Sequence, residues 1–419
     1  HKVITDNHIG DWGTQFGMII HGWKTVLDEA ALEADPVAEL LRVYRAVNAQ
    51  CDQDESIRET CKRELVKLQA GDAENRLIWE KCVDLSKRGL QGIYDRLDVS
   101  FDYWYGESFY NDRLAPLVDG MLSSGVARES EGAVCVFFDG DEKLDDKPTV
   151  VRKADGGFLY ATTDLATIDF RVEEWHAEQI WYVVGMPQQL HFQQIFEATR
   201  KRGLNPEMHH IAFGSILGED RKLMKTRSGD NVQLVDVLDE SVERAAKVIE
   251  EKNPGMDPVE KKQVAAIVGI GAVKFAELSQ HRMTDYVFSW DRMLALQGDT
   301  APYLQYSNVR VRSIFRKLED GVRLDASGLM IEADAEVHLA RMLVRFGETV
   351  PSLLDDFRPN LLANYLLDLA KAFHSFFEAC PVLKSDGATQ NTRLVLCELT
   401  SRVLEKGLGL LGIQVPERM

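Results

Sequence analysis

Tyr160 and Asp164 have side chains of the right types and spacing to bind a small cation. They are four residues apart, where a strand is predicted to lead into a helix. An aromatic wall and a carboxylate at that spacing can converge on one ligand, and a carboxylate binds a guanidinium through two parallel hydrogen bonds. Asp164 could also simply offset the positive end of the helix dipole, which is a common role.

Gln188 and His191 follow the apolar run 180–184, which predicts a strand that is covered on both faces. Ligands of open α/β sheets bind at the carboxyl ends of such strands. His191 could hydrogen-bond a phosphate and Gln188 could bind a polar substrate. Taken singly, each residue is better explained by local structure, Gln188 by helix capping and His191 by packing.

The loop 221–229 combines four cations and two hydroxyls in a turn that ends at Gly229, although the protein as a whole is acidic. A basic loop can neutralise negative charge that develops on phosphates during phosphoryl or nucleotidyl transfer. A single basic cluster is usually only a solvated turn, so this loop alone indicates function weakly. Gly269 and Gly271 suggest a dinucleotide fingerprint, but the third glycine is missing and the pattern is helical, which favours close helix packing.

The hydrophobic pattern predicts the elements that position these residues. From about residue 25 to 130 apolar residues recur at helical spacing, which indicates a helical insertion. A helix capped by Thr162 or Thr163 is predicted to run to Trp175. Strands are predicted at 133–138, 149–152, 180–184 and 211–217, with a hairpin turn at 154–157 and a helix at about 190–202. Strands alternating with helices predict a parallel α/β sheet.

The chain from Val235 onward is predicted to be helical. Asn253-Pro254-Gly255 breaks the first of these helices. Further helices are predicted at about 258–282, 290–318, 334–355, 358–380 and 390–409. The sequence therefore predicts a sheet domain with a helical insertion, followed by a helical bundle.

Composition restricts the class of protein. With 419 residues, 45% of them hydrophobic and 28% charged, the chain is typical of two or three globular domains, which excludes a collagenous or largely disordered protein. Its apolar stretches are far below the ~18 residues that a membrane span needs. The net charge of −18 argues against a broadly basic surface but leaves room for local basic tracks. The six cysteines form no Cys-x-x-Cys pair, which disfavours structural zinc and is typical of reduced cytoplasmic thiols.

In their order along the chain, these segments resemble the arginyl-tRNA synthetases of class I, from about residue 4 to the last residue. The segments that carry the resemblance are 7–17 (NHIGDWGTQFG), 160–164, 188–191, 224–227, 299–306 (DTAPYLQY) and 415–419 (VPERM). The segment 224–227 falls where class I enzymes carry the "KMSKS" ATP loop. Each segment is short, but the ordered series is highly specific.

The resemblance implies a role for each candidate residue. The arginine side chain is expected at Tyr160, Asp164 and Gln188. The ATP phosphates are expected at His191, Met224, Lys225 and Thr226, with Lys222, Lys225 and Arg227 as the catalytic cations. The anticodon loop of tRNA is expected at Tyr303, Tyr306, Arg310, Phe377 and Met419, with Phe373 beside them.

Two features of the residues themselves bear on the RNA surface. Tyr303 and Tyr306 alternate with polar residues, and the arginines that follow would give the acidic protein a local basic track for phosphates, at Arg310, Arg312 and Arg316. Aromatic faces commonly stack on unpaired bases. The spacing of Phe373 and Phe377 suits the core of a helical bundle equally well.

The implied fold is α/β plus all-α. It consists of a Rossmann-like catalytic domain (1–28 and 131–230), a mainly helical insertion (29–130), a helical connection (231–285) and a helical-bundle anticodon-binding domain (286–419). The implied reaction joins arginine to tRNA through arginyl-adenylate. Its substrates are L-arginine, ATP with Mg²⁺, and tRNA. We expect no protein-bound metal, no membrane, a monomer and a cytoplasmic location.

The sequence departs from the family pattern at two places. His8-Ile9-Gly10-Asp11 is not the "HIGH" ATP motif, which in this family lies upstream of the Asp-Trp-Gly segment. Since the chain opens on His1, we expect that motif, an N-terminal tRNA-binding domain and part of the arginine site to be missing. The loop also has Lys225-Thr226-Arg227 where Ser-Lys is ideal, and we expect Lys222 to substitute.

Two other functions remain open on the sequence alone. One is a non-catalytic tRNA-binding fragment or paralogue, which would have no need of an arginine pocket. The other is a class I synthetase for another amino acid such as cysteine, which the cysteine spacing and Asp164 disfavour. A helical scaffold without an RNA role is a distant third.

Overall fold

The computed structural model describes residues 1–218, 222, 232–295, 298–318 and 324–419, with the side chain of Asp291 excepted. The chain divides into two compact units, His1–Trp181 with Gln188–His210, and Tyr182–Pro187 with Ile211–Met419. The boundaries of the four predicted domains stay a prediction.

Helices make up the first part of the first unit, as the periodicity predicts. They are α1 (Thr14–Thr25), α2 (Glu29–Ala34), α3 (Pro36–Gln53), α4 (Glu55–Gln69), α5 (Ala73–Leu97) and α6 (Asn111–Ser123). Four consecutive helices begin after an aspartate whose carboxylate accepts hydrogen bonds from the first free backbone N–H groups, at Asp28, Asp35, Asp54 and Asp72. Gly17 lets α1 lie close to α4, since a Cβ there would be 2.3 Å from the carbonyl oxygen of Cys61.

A small sheet follows, formed by β1 (Ala127–Ser130), β2 (Ala133–Val136) and β3 (Thr149–Arg152) in that order. Both pairings are antiparallel. The expectation of parallel pairing is therefore wrong for these strands. Glu131 and Gly132 both have positive φ in the two-residue turn between β1 and β2, and so short a turn can join only antiparallel neighbours. The predicted hairpin turn at 154–157 is confirmed, since Arg152 and Phe158 form an antiparallel bridge across it.

Alternation of helix and strand continues with α7 (Tyr160–Glu174), β4 (Gln179–Gly185), α8 (Gln189–Lys201) and β5 (Glu207–Phe213). β4 and β5 are neighbours in a two-stranded sheet. The predicted cap of α7 is wrong, because Leu159 precedes its first turn and the Thr162 hydroxyl donates to the carbonyl oxygen of Val151 instead. Gly203, at φ +82°, lies just past α8 as predicted.

The second unit is mainly helical. Its elements are β6 (Ile216–Leu217), α9 (Leu234–Lys252), α10 (Pro258–Leu278), β7 (Tyr286–Val287), α11 (Trp290–Met293), α12 (Ala301–Phe315), α13 (Asp334–Val344), α14 (Phe346–Ser352), α15 (Pro359–Ala379) and α16 (Gly387–Leu410). β6 and β7 pair in parallel. The single helix predicted at 290–318 is in fact two. Gly298 has a φ of +87°, and Thr300 caps a new helix that has a proline in its first turn.

Close helix packing explains the glycines of the rejected dinucleotide fingerprint. A Cβ at Gly269 in α10 would be 2.8 Å from the backbone of Ser241 in α9. The Ser241 hydroxyl donates to the carbonyl oxygen of Gly269 at 2.6 Å. A Cβ at Gly271 would be 2.9 Å from the Gln305 amide nitrogen in α12. These glycines are therefore where α10 approaches its neighbours most closely.

We expect Gly269→Ala to destabilise the protein by about 1–3 kcal/mol, because the added methyl group would collide with backbone that cannot move aside. The matched control is Gly409→Ala in α16, where a Cβ meets nothing within 4 Å. This control should gain up to about 1 kcal/mol from helix propensity. Thermal unfolding midpoints of the two variants and the wild type check the prediction, and equal midpoints for the two variants would contradict it.

Candidate active site and RNA-binding surface

Helix α7 carries Tyr160 and Asp164 on one face. Both residues lie within the helix, four apart, so their side chains project from neighbouring positions of successive turns. Most of the other residues of α7 are buried, including Leu165 and Ile168, which fixes the helix in the core. The Thr162–Val151 hydrogen bond ties the first turn of α7 to β3. Both residues therefore lie within one helix, rather than across a strand-to-helix turn as the sequence predicts, and their role in binding arginine stays a prediction.

His191, in the first turn of α8, contacts Asp164 directly. Its Nε2 is 2.6 Å from Oδ2 of Asp164. The side chains are 25% and 17% exposed, so the pair is partly shielded but reachable by a ligand. This contact joins the residue expected to bind the arginine side chain to the residue expected to bind ATP phosphates.

Tyr160 and Gln188 are close in sequence to Asp164 and His191, respectively, and both have exposed side chains. Tyr160 is 58% exposed, which is high for a large aromatic side chain and leaves its ring open to a ligand. Gln188 ends a short 3-10 turn, Met186–Gln188, immediately before α8. Its side chain makes no capping hydrogen bond, so helix capping does not explain this residue.

Glu107, which the sequence analysis did not select, interacts electrostatically with both Asp164 and a second unselected carboxylate, Asp11. Asp11 is buried and accepts hydrogen bonds from the backbone N–H and the hydroxyl of Ser108 at 2.8 and 2.7 Å. Burial, together with the nearby charges of Asp11 and Asp164, raises the pKa of Glu107 to about 7. The carboxylates of Asp11 and Asp164 thus both act on Glu107, and a locally negative surface of this kind favours cations. The sequence held no signal for this, since residues 11, 107 and 164 are far apart in the chain.

Most of the basic loop lies outside the described residues, and with it Met224, Lys225, Thr226 and Arg227. Lys222 is described and exposed. Its carbonyl oxygen accepts a hydrogen bond from the backbone N–H of Gly218 at 2.8 Å. The role of this loop stays a prediction.

In the second unit, α12 and α15 bring three of the residues expected to bind RNA onto one surface. The guanidinium carbon of Arg310 is 4.6 Å from the centre of the Phe377 ring, a stacked cation–π arrangement. Tyr306, one turn before Arg310, is 42% exposed. We call Tyr306, Arg310 and Phe377 the aromatic–arginine platform.

The remaining aromatic and methionine candidates are less accessible. Tyr303 and Met419 are partly buried, Tyr303 against the bundle core and Met419 against the core between α9 and α10. Phe373 is only 2% exposed and belongs to the bundle core. The expectation that Phe373 lies beside RNA is therefore wrong for the protein in this conformation, because α15 turns that position inward.

The predicted basic track is partly neutralised by acidic side chains. The Arg312 guanidinium donates to Oε1 of Glu405 at 2.6 Å and lies 3.5 Å from the carboxylate of Glu417. Arg316 donates to the backbone carbonyl oxygen of Glu417 at 3.1 Å. Arg310 instead contacts the ring of Phe377 and the imidazole of His374, so its positive charge lies on the platform.

The rest of the described chain offers little else that could bind a metal or a membrane. No group of three or more His, Cys, Asp or Glu residues within the described ranges is placed to hold a metal ion. Each of the six cysteines is a free, buried thiol. No helix among these residues is both long and apolar enough to span a bilayer.

Comparison with known proteins assigns both parts of the chain to a class. Residues 1–290 match the family described as tRNA synthetases class I (R), catalytic domain. Residues 304–419 match the DALR anticodon binding domain. The chain is thus built as a class I aminoacyl-tRNA synthetase, and the predicted fold class, α/β plus all-α, is confirmed.

Individual relatives narrow the class to one family. The chain is 45% identical to an arginine–tRNA ligase of Thermobifida fusca, over all of this chain and 74% of that protein. Its structure is similar to arginyl-tRNA synthetase from Plasmodium falciparum (28% identity, TM-score 0.83, 99% of this chain and 70% of that one). The Thermus thermophilus arginyl-tRNA synthetase shares the fold (24% identity, TM-score 0.84, 100% and 76%). The chain belongs to the arginyl-tRNA synthetases.

We expect the stability of the protein to depend on pH through Glu107. Its folded pKa of about 7 exceeds the ordinary value of about 4.3, so between these pH values the folded state binds more protons and stability falls as pH rises. Glu107→Gln cannot ionise. It should therefore match the wild type near pH 4 and exceed it by about 1 kcal/mol at pH 8, after allowance for solvent screening.

Thermal unfolding at pH 5 and pH 8 measures this difference. The control is Glu142→Gln, at an exposed loop position. A Glu107→Gln variant with the same offset from wild type at both pH values would rule out the titration.

Proposed function

We propose that this chain is an arginine–tRNA ligase that binds the arginine guanidinium at Asp164 and the ATP phosphates at His191. The observation that carries the proposal is the 2.6 Å contact between these two side chains. It supports a single site that holds both substrates of the first reaction step. The family membership supports the choice of arginine over cysteine or another amino acid.

In the first step, the carboxylate oxygen of arginine attacks the α-phosphorus of ATP. The bond from that phosphorus to the bridging oxygen breaks, and pyrophosphate leaves with the electron pair. In the second step, a hydroxyl of the terminal ribose of tRNA attacks the carbonyl carbon of arginyl-adenylate. Its proton is lost and AMP leaves. Both steps depend mainly on positioning and on neutralising phosphate charge.

Asp164 has one oxygen available besides the one that contacts His191. A guanidinium binds a carboxylate best through two parallel N–H···O bonds. To bind arginine in this way, Asp164 would accept one guanidinium N–H at Oδ1 and the other at Oδ2. The second bond requires Oδ2 either to accept from His191 as well or to give up its contact with His191. Tyr160, one turn earlier on the same face of α7, supplies an aromatic wall, and Gln188 adds a polar contact.

His191 donates from Nε2 when it bonds the Asp164 carboxylate. A neutral imidazole in that tautomer has an acceptor at Nδ1, which cannot donate to a phosphate oxygen. An imidazolium donates from both nitrogens at once. We therefore propose that His191 acts on ATP in its protonated form, or after Asp164 has turned to the substrate guanidinium. Either route couples ATP binding to arginine binding.

The basic loop completes the ATP site in this proposal. Lys222, Lys225 and Arg227 are the cations that would neutralise the α-phosphate and the departing pyrophosphate, with Met224 and Thr226 between them. Mg²⁺ enters with ATP as part of that substrate.

The aromatic–arginine platform would receive the anticodon loop of tRNA. Unpaired bases stack on aromatic rings and on the flat face of a guanidinium, while neutralisation of phosphates makes binding sensitive to salt. Tyr303 and Met419 would add further contacts to the anticodon loop, as the family resemblance implies. We further propose a monomer in the cytoplasm, in keeping with six reduced thiols.

We expect Asp164→Asn and Asp164→Ala to raise the arginine KM by roughly 30- to 150-fold, since loss of a charge-assisted pair costs about 2–3 kcal/mol. Affinity for tRNA should stay within about twofold, because no RNA contact is removed. Charging kinetics with labelled arginine and equilibrium binding of tRNA measure the two effects.

The control is Glu174→Gln at the exposed end of α7, which should leave both quantities unchanged. An unaltered arginine KM in the Asp164 variants would refute the assignment of the arginine site.

A further inference from the structure

His374 lies between Arg310 and Glu378 on an exposed side of α15. Its Nδ1 is 3.2 Å from Nη1 of Arg310 on α12. Its Nε2 is 3.1 Å from Oε1 of Glu378, one turn further along α15. The imidazole therefore connects a cation on one helix to a carboxylate on its own helix.

The two partners determine where the imidazole proton must be. A guanidinium has only donors, so Nδ1 has to accept from Arg310. A carboxylate accepts, so Nε2 has to carry the proton and donate it to Glu378. Only neutral His374 satisfies both contacts, since an imidazolium would place an N–H against the Arg310 N–H and add a second positive charge.

The contact also determines how Arg310 is presented. Its guanidinium lies over Phe377 at 4.6 Å while one of its nitrogen atoms is held by His374. A long arginine side chain loses considerable rotamer freedom when it is held in this way, so a fixed guanidinium can receive a ligand at lower entropic cost. Tyr306 lies one turn away on α12, on the same side as Arg310.

We propose that His374 is a positioning residue that holds Arg310 flat on Phe377 for an unpaired base of the anticodon loop, and that it does so only as the neutral imidazole. This proposal rests on the proposed function. The ligand chemistry follows from the platform, in which a fixed planar cation offers a stacking face and N–H donors to a base edge or a phosphate.

The charged and titratable groups around His374 come from both helices and from the segment before α12. They are Arg310, Tyr303 and Tyr306 on α12, Lys371 and Glu378 on α15, and Asp299, which pairs with Lys371 at 3.1 Å. Of these, Arg310 and Glu378 contact the imidazole. Protonation of His374 therefore acts first on the Arg310 contact.

Imidazole side chains gain a proton as the pH is lowered. A protonated His374 would repel Arg310, and the platform would lose its fixed cation. Affinity for RNA should therefore fall as pH falls.

The experiment measures binding of a hairpin RNA that carries the anticodon loop of an arginine tRNA, from pH 5.5 to pH 8. A second hairpin with the same stem and a short tetraloop reports the background. We expect wild-type affinity for the anticodon hairpin to fall roughly tenfold towards low pH, about 1.4 kcal/mol. His374→Leu should be roughly tenfold weaker at pH 8 and no longer sensitive to pH.

The conservative variant His374→Asn separates positioning from mere structural support. Its amide oxygen can occupy the place of Nδ1 and accept from Arg310, but it does not titrate. It should bind like the wild type at pH 8 and keep that affinity at pH 5.5. Ser375→Ala, at the neighbouring exposed position, serves as a control that should follow the wild type throughout.

Tyr306→Ala distinguishes failure of this inference from failure of the proposed RNA surface. If Tyr306→Ala weakens hairpin binding while His374→Leu does not, the positioning role is overturned and the platform stands. If none of these variants alters binding, the platform itself is overturned. A pH profile for His374→Asn as steep as that of the wild type would also overturn the proposal.

Discussion

The hydrogen bond between His191 and Asp164 is the contact on which the account of this protein depends. It joins α7 to α8 through two residues that are 27 apart in sequence. The Thr162–Val151 hydrogen bond and the buried face of α7 hold the carboxylate in place, so the imidazole meets it in a defined geometry. The carboxylates of Asp11 and Asp164 both act on Glu107, so acidic groups gather in this part of the structure.

Local patterns predicted most of the elements but not the contacts between them. The i, i+4 spacing of Tyr160 and Asp164 was visible in the sequence, whereas their helix starts earlier than the threonines suggested. This is because Thr162 bonds to a neighbouring strand rather than capping its own helix. Glu107 could not be selected, since its raised pKa arises from burial beside distant carboxylates. Phe373 and Phe377 look equivalent in sequence, and only packing distinguishes the buried ring from the one under Arg310.

The RNA surface illustrates how an acidic protein can present positive charge selectively. Three arginines on and just past α12 were expected to act alike, but Arg312 is paired with Glu405 and Arg316 bonds to backbone. Arg310 is placed on an aromatic ring, where a guanidinium can stack and still donate hydrogen bonds. A platform with one fixed cation binds by shape and stacking, and so can discriminate between loops more than a continuous basic track would.

Charging of tRNA by this chain tests the central claim most directly. Unfractionated tRNA is incubated with ATP, Mg²⁺ and one labelled amino acid at a time, and tRNA binding is measured in parallel at two salt concentrations. The account predicts that arginine alone becomes attached to tRNA and that binding weakens as salt rises. Salt-sensitive binding without attachment of arginine, or attachment of another amino acid, would contradict it.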